Sequence, residues 1–290
     1  MANTRHPPRI RGLSEIAGNY RYLLCDAWGV LHNGVTAYAE AVDALIHARA
    51  AGLRVLVLTN APRPKAEVVK QFDRFGVDHR GYNDIVTSGD ATREYLATRP
   101  EKKALFVGAD RDRGVLDGIG IDLVGQDEAE LIACIGLYDD TTETPDDYTG
   151  RMRDWLARGL PLICANPDKV VERGHVIVWC AGALAAKYAG MGGRTVVLGK
   201  PHAPIYESAL RRFGEIAGTP VDPAEVLAIG DAAETDLRGA NDAGLDVLFV
   251  TAGIHAERLG ERHEPDGPEV SALLSEHGLG ARAYIPHLAW

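Results

Sequence analysis

The sequence predicts an α/β protein whose core is a Rossmann-like, doubly wound parallel sheet with a second α/β domain inserted into it. Short apolar runs alternate with segments of helical periodicity, which implies crossover connections and a parallel sheet. The runs are apolar and rich in β-branched residues, as expected of strands that are buried on both faces. The alternation becomes irregular between about residues 100 and 185, and this indicates the insertion.

The N-terminal part of the core is predicted as three strand-helix units. In the first helix the apolar residues Ala41, Leu45 and Ala48 recur at helical spacing, and Gly52 follows as a stop signal. The predicted strands cover residues 22–26, 53–59 and 85–87, and the helices that follow them cover 38–51, about 68–75, and 91–98.

The rest of the chain completes the core and supplies the insertion. The C-terminal core is predicted as a helix over 204–217, a strand over 226–230, a helix over 235–243 and a strand over 247–251. The insertion is predicted to hold strands at 103–107, 132–137 and 160–165, a helix at 148–157, and an acidic loop at 139–147. We therefore predict a core domain of residues 1–99 and 186–290 and an inserted domain of residues 100–185.

Composition excludes several classes of protein. The 290 residues carry a net charge of −10, which argues against a general nucleic-acid binder, because such proteins need a basic face. No apolar run approaches the roughly 18 residues that span a bilayer, and the first residues do not resemble a signal peptide. The four cysteines are widely spaced, which predicts free, buried thiols. We therefore expect a cytoplasmic protein without nucleic-acid or membrane partners.

The first two candidate site residues follow strands, at the edge of a parallel sheet where ligands bind. Asp26 ends the first strand, and a carboxylate there is costly to bury unless it has a partner such as a metal ion. Thr59 and Asn60 end the second strand, where a hydroxyl and free amides can hold a phosphate. Taken singly, these residues are better explained as a capping or loop aspartate and as an ordinary helix N-cap.

The other candidates lie near the C-terminal strands. Lys200 stands in the segment V-V-L-G-K-P, where its ammonium group can neutralise a phosphate oxygen. Asp231 and Asp236 follow a buried strand in the segment L-A-I-G-D-A-A-E-T-D, and two acids in this place suit a hard cation that prefers oxygen ligands. A lone lysine would indicate little, because most lysines are merely solvated, and a lone Gly-Asp after a strand is common.

The order of these motifs resembles that of the haloacid dehalogenase (HAD) superfamily, whose members share a strand-Asp, a strand-Thr, a Lys and a strand-Gly-Asp motif. The likeness covers nearly the whole chain. The insertion between the second and third motifs resembles the C2-type cap of the class IIA (NagD-like) branch. The segments T-S-G-D-A-T (87–92), A-N-P-D (165–168) and G-K-P (199–201) are similar to those of that branch, which includes nucleotide, pyridoxal phosphate and p-nitrophenyl phosphate phosphatases.

The resemblance implies a Mg²⁺-dependent phosphohydrolase that acts on a small phosphorylated metabolite through an aspartyl-phosphate. Asp26 would be the nucleophile and would hold Mg²⁺ together with Asp231 and the backbone carbonyl of Trp28. Asp236 would hold metal-bound water or orient Lys200.

By the same resemblance, Thr59, Asn60 and Lys200 would bind the transferring phosphoryl group. Asn166 and Asp168, on a loop of the cap, would set substrate specificity, although a surface turn fits that segment equally well. Class IIA relatives often dimerise through the cap, so a homodimer is expected.

Trp28 departs from the family pattern. Phosphatases of this superfamily usually carry a second aspartate two residues after the nucleophile, and that aspartate protonates the leaving group. An indole N–H can donate a hydrogen bond but cannot accept a proton. The missing acid-base group is worth about 10²–10⁴ in rate, so we expect slow turnover of alkyl phosphates. His32 or a water molecule is a candidate substitute.

Two other functions remain open at this point. A 2-haloacid dehalogenase also carries an aromatic residue two positions after its nucleophile, but enzymes of that type lack the acidic metal motif that Asp231 and Asp236 form here. A phosphate-ligand binding or regulatory protein with little turnover would keep the site without the reaction.

Overall fold

The structure is a computed structural model that describes residues 6–173, 176–261 and 263–290. The strands in these residues are β1 (Tyr22–Asp26), β2 (Arg54–Thr59), β3 (Asp84–Thr87), β4 (Lys103–Val107), β5 (Asp122–Leu123), β6 (Leu131–Cys134), β7 (Leu162–Cys164), β8 (Val170–Arg173), β9 (Val176–Trp179), β10 (Thr195–Val197), β11 (Val226–Gly230), β12 (Asp246–Val250), β13 (Gly260–Glu261), β14 (Glu264–Pro265) and β15 (Ala283–Ile285). The α-helices are α1 (Ser14–Ala17), α2 (Ala39–Ala50), α3 (Lys65–Phe75), α4 (Ser88–Ala97), α5 (Thr149–Ala157), α6 (Ala181–Gly190), α7 (Ala203–Ala217), α8 (Arg238–Asp242), α9 (Ala256–Leu259) and α10 (Gly267–Glu276).

The chain divides into two compact units, of which unit 1 comprises residues 1–59, 69–86 and 200–290. Its sheet has six strands in the order β15-β12-β11-β1-β2-β3. The four pairings from β15 to β2 are parallel. The chain adds β2 and β3 on one side of β1 and later fills β11, β12 and β15 on the other. The doubly wound sheet that the sequence predicts is therefore confirmed, and its strand order reverses beside β1, where such sheets bind ligands.

The two central strands of unit 1 are buried along their whole length. Every residue of β1 and of β11 is buried, and the register pairs Cys25 with Ile229. Helix α7 packs Tyr206 and Phe213 into the same core. Because the two strands end side by side, the residues that follow them enter one site at the carboxyl edge of the sheet.

Unit 2 comprises residues 60–68 and 87–199 and has a sheet of its own. The five strands run in the order β10-β7-β6-β4-β5, and each neighbouring pair is parallel. Strands β8 and β9 form a separate antiparallel pair. Trp155, Tyr148 and Tyr188 are fully buried in the core of this unit.

The units change at residues 59/60, 68/69, 86/87 and 199/200. The sequence predicts a core domain of residues 1–99 and 186–290 and an inserted domain of residues 100–185. These bounds describe segments that fold independently, whereas the units above describe compactness, so the domain bounds stay a proposal. Limited proteolysis would measure them.

The predicted helix over 235–243 differs most from its observed counterpart in unit 1. A single wide π turn covers Ala233–Leu237, and the α-helix proper begins only at Arg238. The carboxylate of Asp236 turns inward, where it accepts a hydrogen bond from the amide of Ala232 at 3.1 Å. Wide turns of this kind are frequent at functional sites because they redirect one side chain out of the helical pattern.

The structure bears on two expectations from composition, the state of the cysteines and the presence of membrane-spanning helices. All four cysteines are buried free thiols, as predicted. Within the described ranges, no helix has both the length and the apolar character that crossing a membrane requires.

One buried hydrogen bond ties the N-terminal segment to strand β12. The hydroxyl of Tyr20 donates to Oδ2 of Asp246 at 2.7 Å, and both residues are buried. We expect Tyr20→Phe to lower the free energy of unfolding by about 1.5–3 kcal/mol, because the buried carboxylate loses its donor. Urea unfolding of the two proteins measures the difference.

Tyr82→Phe is the matched control for Tyr20→Phe. The Tyr82 hydroxyl is buried and has no hydrogen-bond partner in the part of the chain that the structure describes. Its removal is expected to leave stability unchanged or slightly higher. Equal losses in the two variants would show that the hydroxyl of Tyr20 contributes nothing specific.

Candidate active site

Three aspartates meet at the carboxyl edge of the unit 1 sheet. Asp26 is the last residue of β1, Asp231 directly follows β11, and Asp236 lies in the π turn after it. One carboxylate oxygen from each lies within 4.8 Å of those of the other two, and all three residues are buried. The structure therefore brings together acids that are separated by about 200 residues in the sequence.

Lys200 bridges two of these carboxylates. Its Nζ donates to Oδ1 of Asp26 at 2.5 Å and to Oδ1 of Asp236 at 2.6 Å, and the residue is 3% exposed. Burial alone lowers the pKa of Lys200, but the charges of Asp236 and Asp26 outweigh burial and hold that pKa well above its usual value. The side chain is thus a buried cation with two anionic partners.

The charges of this cluster do not balance within the protein. Three ionised carboxylates and one ammonium group leave a net charge of −2 in a buried place, which is unfavourable. Burial raises the pKa of Asp26 well above its usual value, and the charge of Asp236 adds to the effect. Burial and Asp236 likewise raise the pKa of Asp231 to about 7. Both shifts express the same shortage of positive charge.

The loops after β1 and β12 close around Asp231. The amide of Ile254 donates to Oδ2 of Asp231 at 2.9 Å. A Cβ atom at Gly29 would lie 2.3 Å from that oxygen, and one at Gly253 would lie 1.9 Å from it. Only glycine allows these two backbones to approach so closely, so the carboxylate of Asp231 is fixed in position.

The donor set fits a hard divalent cation. In the described residues, the cluster supplies carboxylate oxygens and contains no histidine or cysteine, and Mg²⁺ and Ca²⁺ prefer oxygen ligands. A charge of +2 would neutralise the site. Asp26 and Asp231 offer oxygens to such an ion, while Asp236 is engaged by Lys200 and by the amide of Ala232.

His32, which we considered as a substitute acid-base group, is a packing residue. The residue is 5% exposed, and its ring packs against the rings of Phe72 and Phe75. Burial lowers its pKa to about 4, and Nδ1 accepts a hydrogen bond from the amide of Gly34 at 3.0 Å. The imidazole of His32 is therefore buried and neutral, and its Nδ1 is already engaged. These properties argue against a role for His32 as an acid-base group.

The residues expected to bind the phosphoryl group and to set specificity fall into two groups. Thr59 is the last residue of β2 and is buried in unit 1. In unit 2, Nδ2 of Asn60 donates to Oδ1 of Asp168 at 2.8 Å, and the amide of Asp168 donates to Oδ1 of Asn166 at 3.0 Å. No sequence pattern predicted the bond between Asn60 and Asp168, because the two residues are 108 positions apart.

Two further contributors were not predicted. One is the loop at Gly253 and Ile254 that holds Asp231. The other is Tyr206, whose hydroxyl donates to the backbone carbonyls of Thr235 and Asp236 at 3.3 Å and so supports the π turn. For the loop, the available signal was a glycine a few residues after a strand, at Gly253. A tyrosine in the first turn of a helix carried no signal.

Comparisons with known proteins agree with this geometry. A family model described as haloacid dehalogenase-like hydrolase matches residues 23–122, and a second, HAD-hydrolase-like model matches residues 197–274. A solved haloacid dehalogenase-like hydrolase from Brucella suis 1330 is 43% identical, with a TM-score of 0.86, over 98% of this chain and 100% of that one.

Characterised relatives are more distant. The ribonucleotide monophosphatase NagD of Escherichia coli K12 is 27% identical over 80% of this chain and 88% of its own. A glycerol phosphate phosphatase from Mycobacterium tuberculosis, solved with calcium, is 25% identical with a TM-score of 0.64, over 82% of this chain and 68% of that one. By its motifs, its sheet order and these likenesses, the chain belongs to the haloacid dehalogenase superfamily of hydrolases, in the class IIA, NagD-like branch with a C2-type cap.

Proposed function

We propose that this hydrolase is a Mg²⁺-dependent phosphohydrolase that cleaves a small phosphorylated metabolite through an aspartyl-phosphate on Asp26. The observation that carries the proposal is the buried cluster of Asp26, Lys200, Asp231 and Asp236, which lacks two positive charges. The names of the relatives, a ribonucleotide monophosphatase and a glycerol phosphate phosphatase, support phosphomonoesters as the substrate class.

The position of Asp26 supports the proposed first step. Its carboxylate oxygen attacks phosphorus, and the bond between phosphorus and the leaving oxygen breaks with its electron pair on that oxygen. Water then attacks the phosphorus of the aspartyl-phosphate, which releases inorganic phosphate and restores the carboxylate. A covalent nucleophile thus divides one difficult hydrolysis into two easier steps.

The other residues supply charge and position, which phosphoryl transfer chiefly requires. The ammonium group of Lys200 already contacts Asp26, so it neutralises both the nucleophile and an incoming phosphoryl oxygen. Asp236 orients Lys200 through its second contact. The hydroxyl of Thr59 and the amide of Asn60 bind the phosphoryl oxygens, and Asn166 and Asp168 set specificity.

The metal would be held by Asp26, Asp231 and the backbone carbonyl of Trp28. When bound, Mg²⁺ supplies the positive charge that the cluster lacks and draws the phosphoryl oxygens toward Asp26.

Hydrolysis of p-nitrophenyl phosphate, with Mg²⁺ and with excess chelator, tests the function. Hydrolysis that requires Mg²⁺ is expected. A folded protein without such activity would favour the phosphate-binding or dehalogenase alternatives, and chloride release from a 2-haloacid would then separate those two. The acids at Asp231 and Asp236 weigh against a dehalogenase, which has no use for a metal site.

Mg²⁺ is expected to stabilise the protein even without substrate. At a free concentration of 100 times its Kd, an ion that binds only the folded state adds about 2.7 kcal/mol to the free energy of unfolding. Chemical unfolding with and without Mg²⁺ measures this gain. Asp231→Asn is expected to lose most of it, and an undiminished gain in that variant would place the ion elsewhere.

Trp28→Asp is expected to restore a general acid. Hydrolysis of alkyl phosphates should rise by up to about 10²-fold, with a smaller gain for p-nitrophenyl phosphate, whose leaving group needs less protonation. A leaving-group series measures the difference, and Trp28→Asn is the matched control because it cannot transfer a proton. Equal gains in the two variants, with Mg²⁺ binding intact, would mean that protonation is not limiting.

The proposal also covers the localisation, the type of partner and the oligomeric state of the enzyme. We propose a cytoplasmic protein that acts on a small molecule rather than on nucleic acid, and that forms a homodimer. Analytical ultracentrifugation at several concentrations measures the oligomeric state.

A further inference from the structure

The exposed apolar side chains of unit 1 lie on the loops that hold the candidate site. In the described residues of this unit, the large apolar side chains that are exposed are Trp28 at 37%, Val35 at 64% and Ile254 at 69%. Trp28 and Val35 lie on the loop after β1, and Ile254 lies on the loop after β12. Isolated exposed apolar residues are ordinary on protein surfaces, but this set is confined to two loops beside one group of buried charges.

Both loops touch the carboxylate cluster directly. Trp28 stands between Asp26 and Gly29, and a Cβ atom at Gly29 would lie 2.3 Å from Oδ2 of Asp231. The amide of Ile254 donates to the same oxygen. The apolar side chains of Trp28 and Ile254 therefore start from backbone that lines the site of phosphoryl transfer.

The ring of Trp28 is held in a fixed orientation. It meets the buried ring of His32 edge-on, with 5.3 Å between the centroids. It also lies against Gly34, where a Cβ atom would be 2.4 Å from Cη2 of the indole, and Gly34 has a φ of +84°. Because the surroundings already fix the ring, the side chain of Trp28 loses little rotamer freedom when a ligand packs against its exposed part.

The chemistry of the same residue points to one class of leaving group. An indole cannot protonate a departing oxygen, so a departing group that is acidic by itself is favoured. Phenols have a pKa of about 10, far below the value of about 15.7 for water. A phenol also carries an aromatic ring, which forms favourable edge or offset contacts with another ring.

We propose that the preferred substrates are aryl phosphates, in which the scissile oxygen is bonded to an aromatic ring, and that Trp28 and Ile254 form the surface that receives this ring. The proposal rests on the proposed phosphohydrolase function and narrows its substrate class. Trp28 then has two effects. It stands in the place of the usual general acid, and it provides an aromatic contact for a leaving group that needs no general acid.

Binding of phosphonates, which cannot be hydrolysed, tests the surface independently of turnover. Calorimetry with Mg²⁺ compares phenylphosphonate with cyclohexylphosphonate, which has a similar size but no aromatic ring. Wild type and Trp28→Phe are expected to prefer the phenyl compound by about 2- to 10-fold, the size of an aromatic contact, and Trp28→Leu is expected to lose the preference. Leu123→Ala, at a residue of unit 2 that is 36% exposed, is the matched control and should keep it.

Turnover provides the second readout. Phenyl phosphate is compared with hexafluoroisopropyl phosphate, whose alcohol is about as acidic as phenol but has no ring. A lower KM for phenyl phosphate in wild type, lost in Trp28→Leu, supports the proposal. Equal binding of the two phosphonates by wild type, or a preference that survives Trp28→Leu, overturns it. Ring preference in binding without hydrolysis of either ester would refute the proposed function while leaving the aromatic surface in place.

Discussion

Asp26→Asn is expected to reduce hydrolysis of p-nitrophenyl phosphate by a factor on the order of 10⁴ or more, the scale of losing a covalent nucleophile. The amide oxygen of asparagine is a poor nucleophile, and it carries no charge for a metal ion. Steady-state rates with Mg²⁺ measure the loss, and wild type labelled during turnover should yield a phosphorylated peptide that contains Asp26.

The same substitution is expected to leave the metal-free protein at least as stable as wild type. Asp26 shares one ammonium group with Asp236 in a place whose net charge is −2 when all three carboxylates are ionised, so a neutral side chain removes repulsion. Thermal unfolding in chelator measures this.

Asp222→Asn is the matched control for Asp26→Asn. Asp222 is an exposed aspartate of unit 1 that caps the turn before β11, and its substitution should preserve activity. Normal hydrolysis by folded Asp26→Asn would contradict the aspartyl-phosphate route.

Lys200→Met is expected to lower the free energy of unfolding by about 3–5 kcal/mol, the usual cost of removing one partner from a buried ion pair. Methionine fills most of the volume of the lysine but leaves Asp26 and Asp236 without their shared cation. Hydrolysis should fall with stability, because no other described side chain bridges these two carboxylates. Urea unfolding measures the loss.

Lys103→Met makes the same change in an exposed ion pair. Nζ of Lys103 lies 3.3 Å from Glu128, and the two side chains are 46% and 66% exposed, so a loss of less than about 1 kcal/mol is expected. If Lys200→Met does not fold, the double variant Lys200→Met/Asp236→Asn should recover part of the stability, because it removes one unpaired charge. Stability losses of equal size in Lys200→Met and Lys103→Met would show that the buried contacts contribute little.

The central strands and the acids that follow them could be predicted from the sequence. The predicted bounds of β1 and β11 match the structure residue for residue, because short apolar runs buried on both faces end sharply at polar residues. Since the carboxyl ends of parallel strands meet at one edge, Asp26 and Asp231 could be placed together without coordinates. The cation site follows from that placement and from charge.

Other parts required tertiary information. Helix α6 has the sequence A-G-A-L-A-A-K-Y-A-G, in which nearly every position is apolar, so periodicity could not reveal it. The π turn at Ala233–Leu237 depends on the inward carboxylate of Asp236 rather than on any helix-breaking residue. The bond between Asn60 and Asp168 joins two loops that only the folded unit 2 brings together.

The strand order of unit 1 also has a consequence for synthesis on the ribosome. Strand β1 lies between β2 and β11, and the register pairs Tyr22 with Val226, about 200 residues later. At a translation rate of 5–20 residues per second, roughly 10–40 s separate the emergence of the two strands. Throughout that interval one edge of a strand that is entirely buried in the folded protein has no neighbour, and such edges pair with other chains. The nascent chain is therefore expected to need a chaperone until β11 has emerged, and its aggregation should be most severe when translation pauses before residue 226.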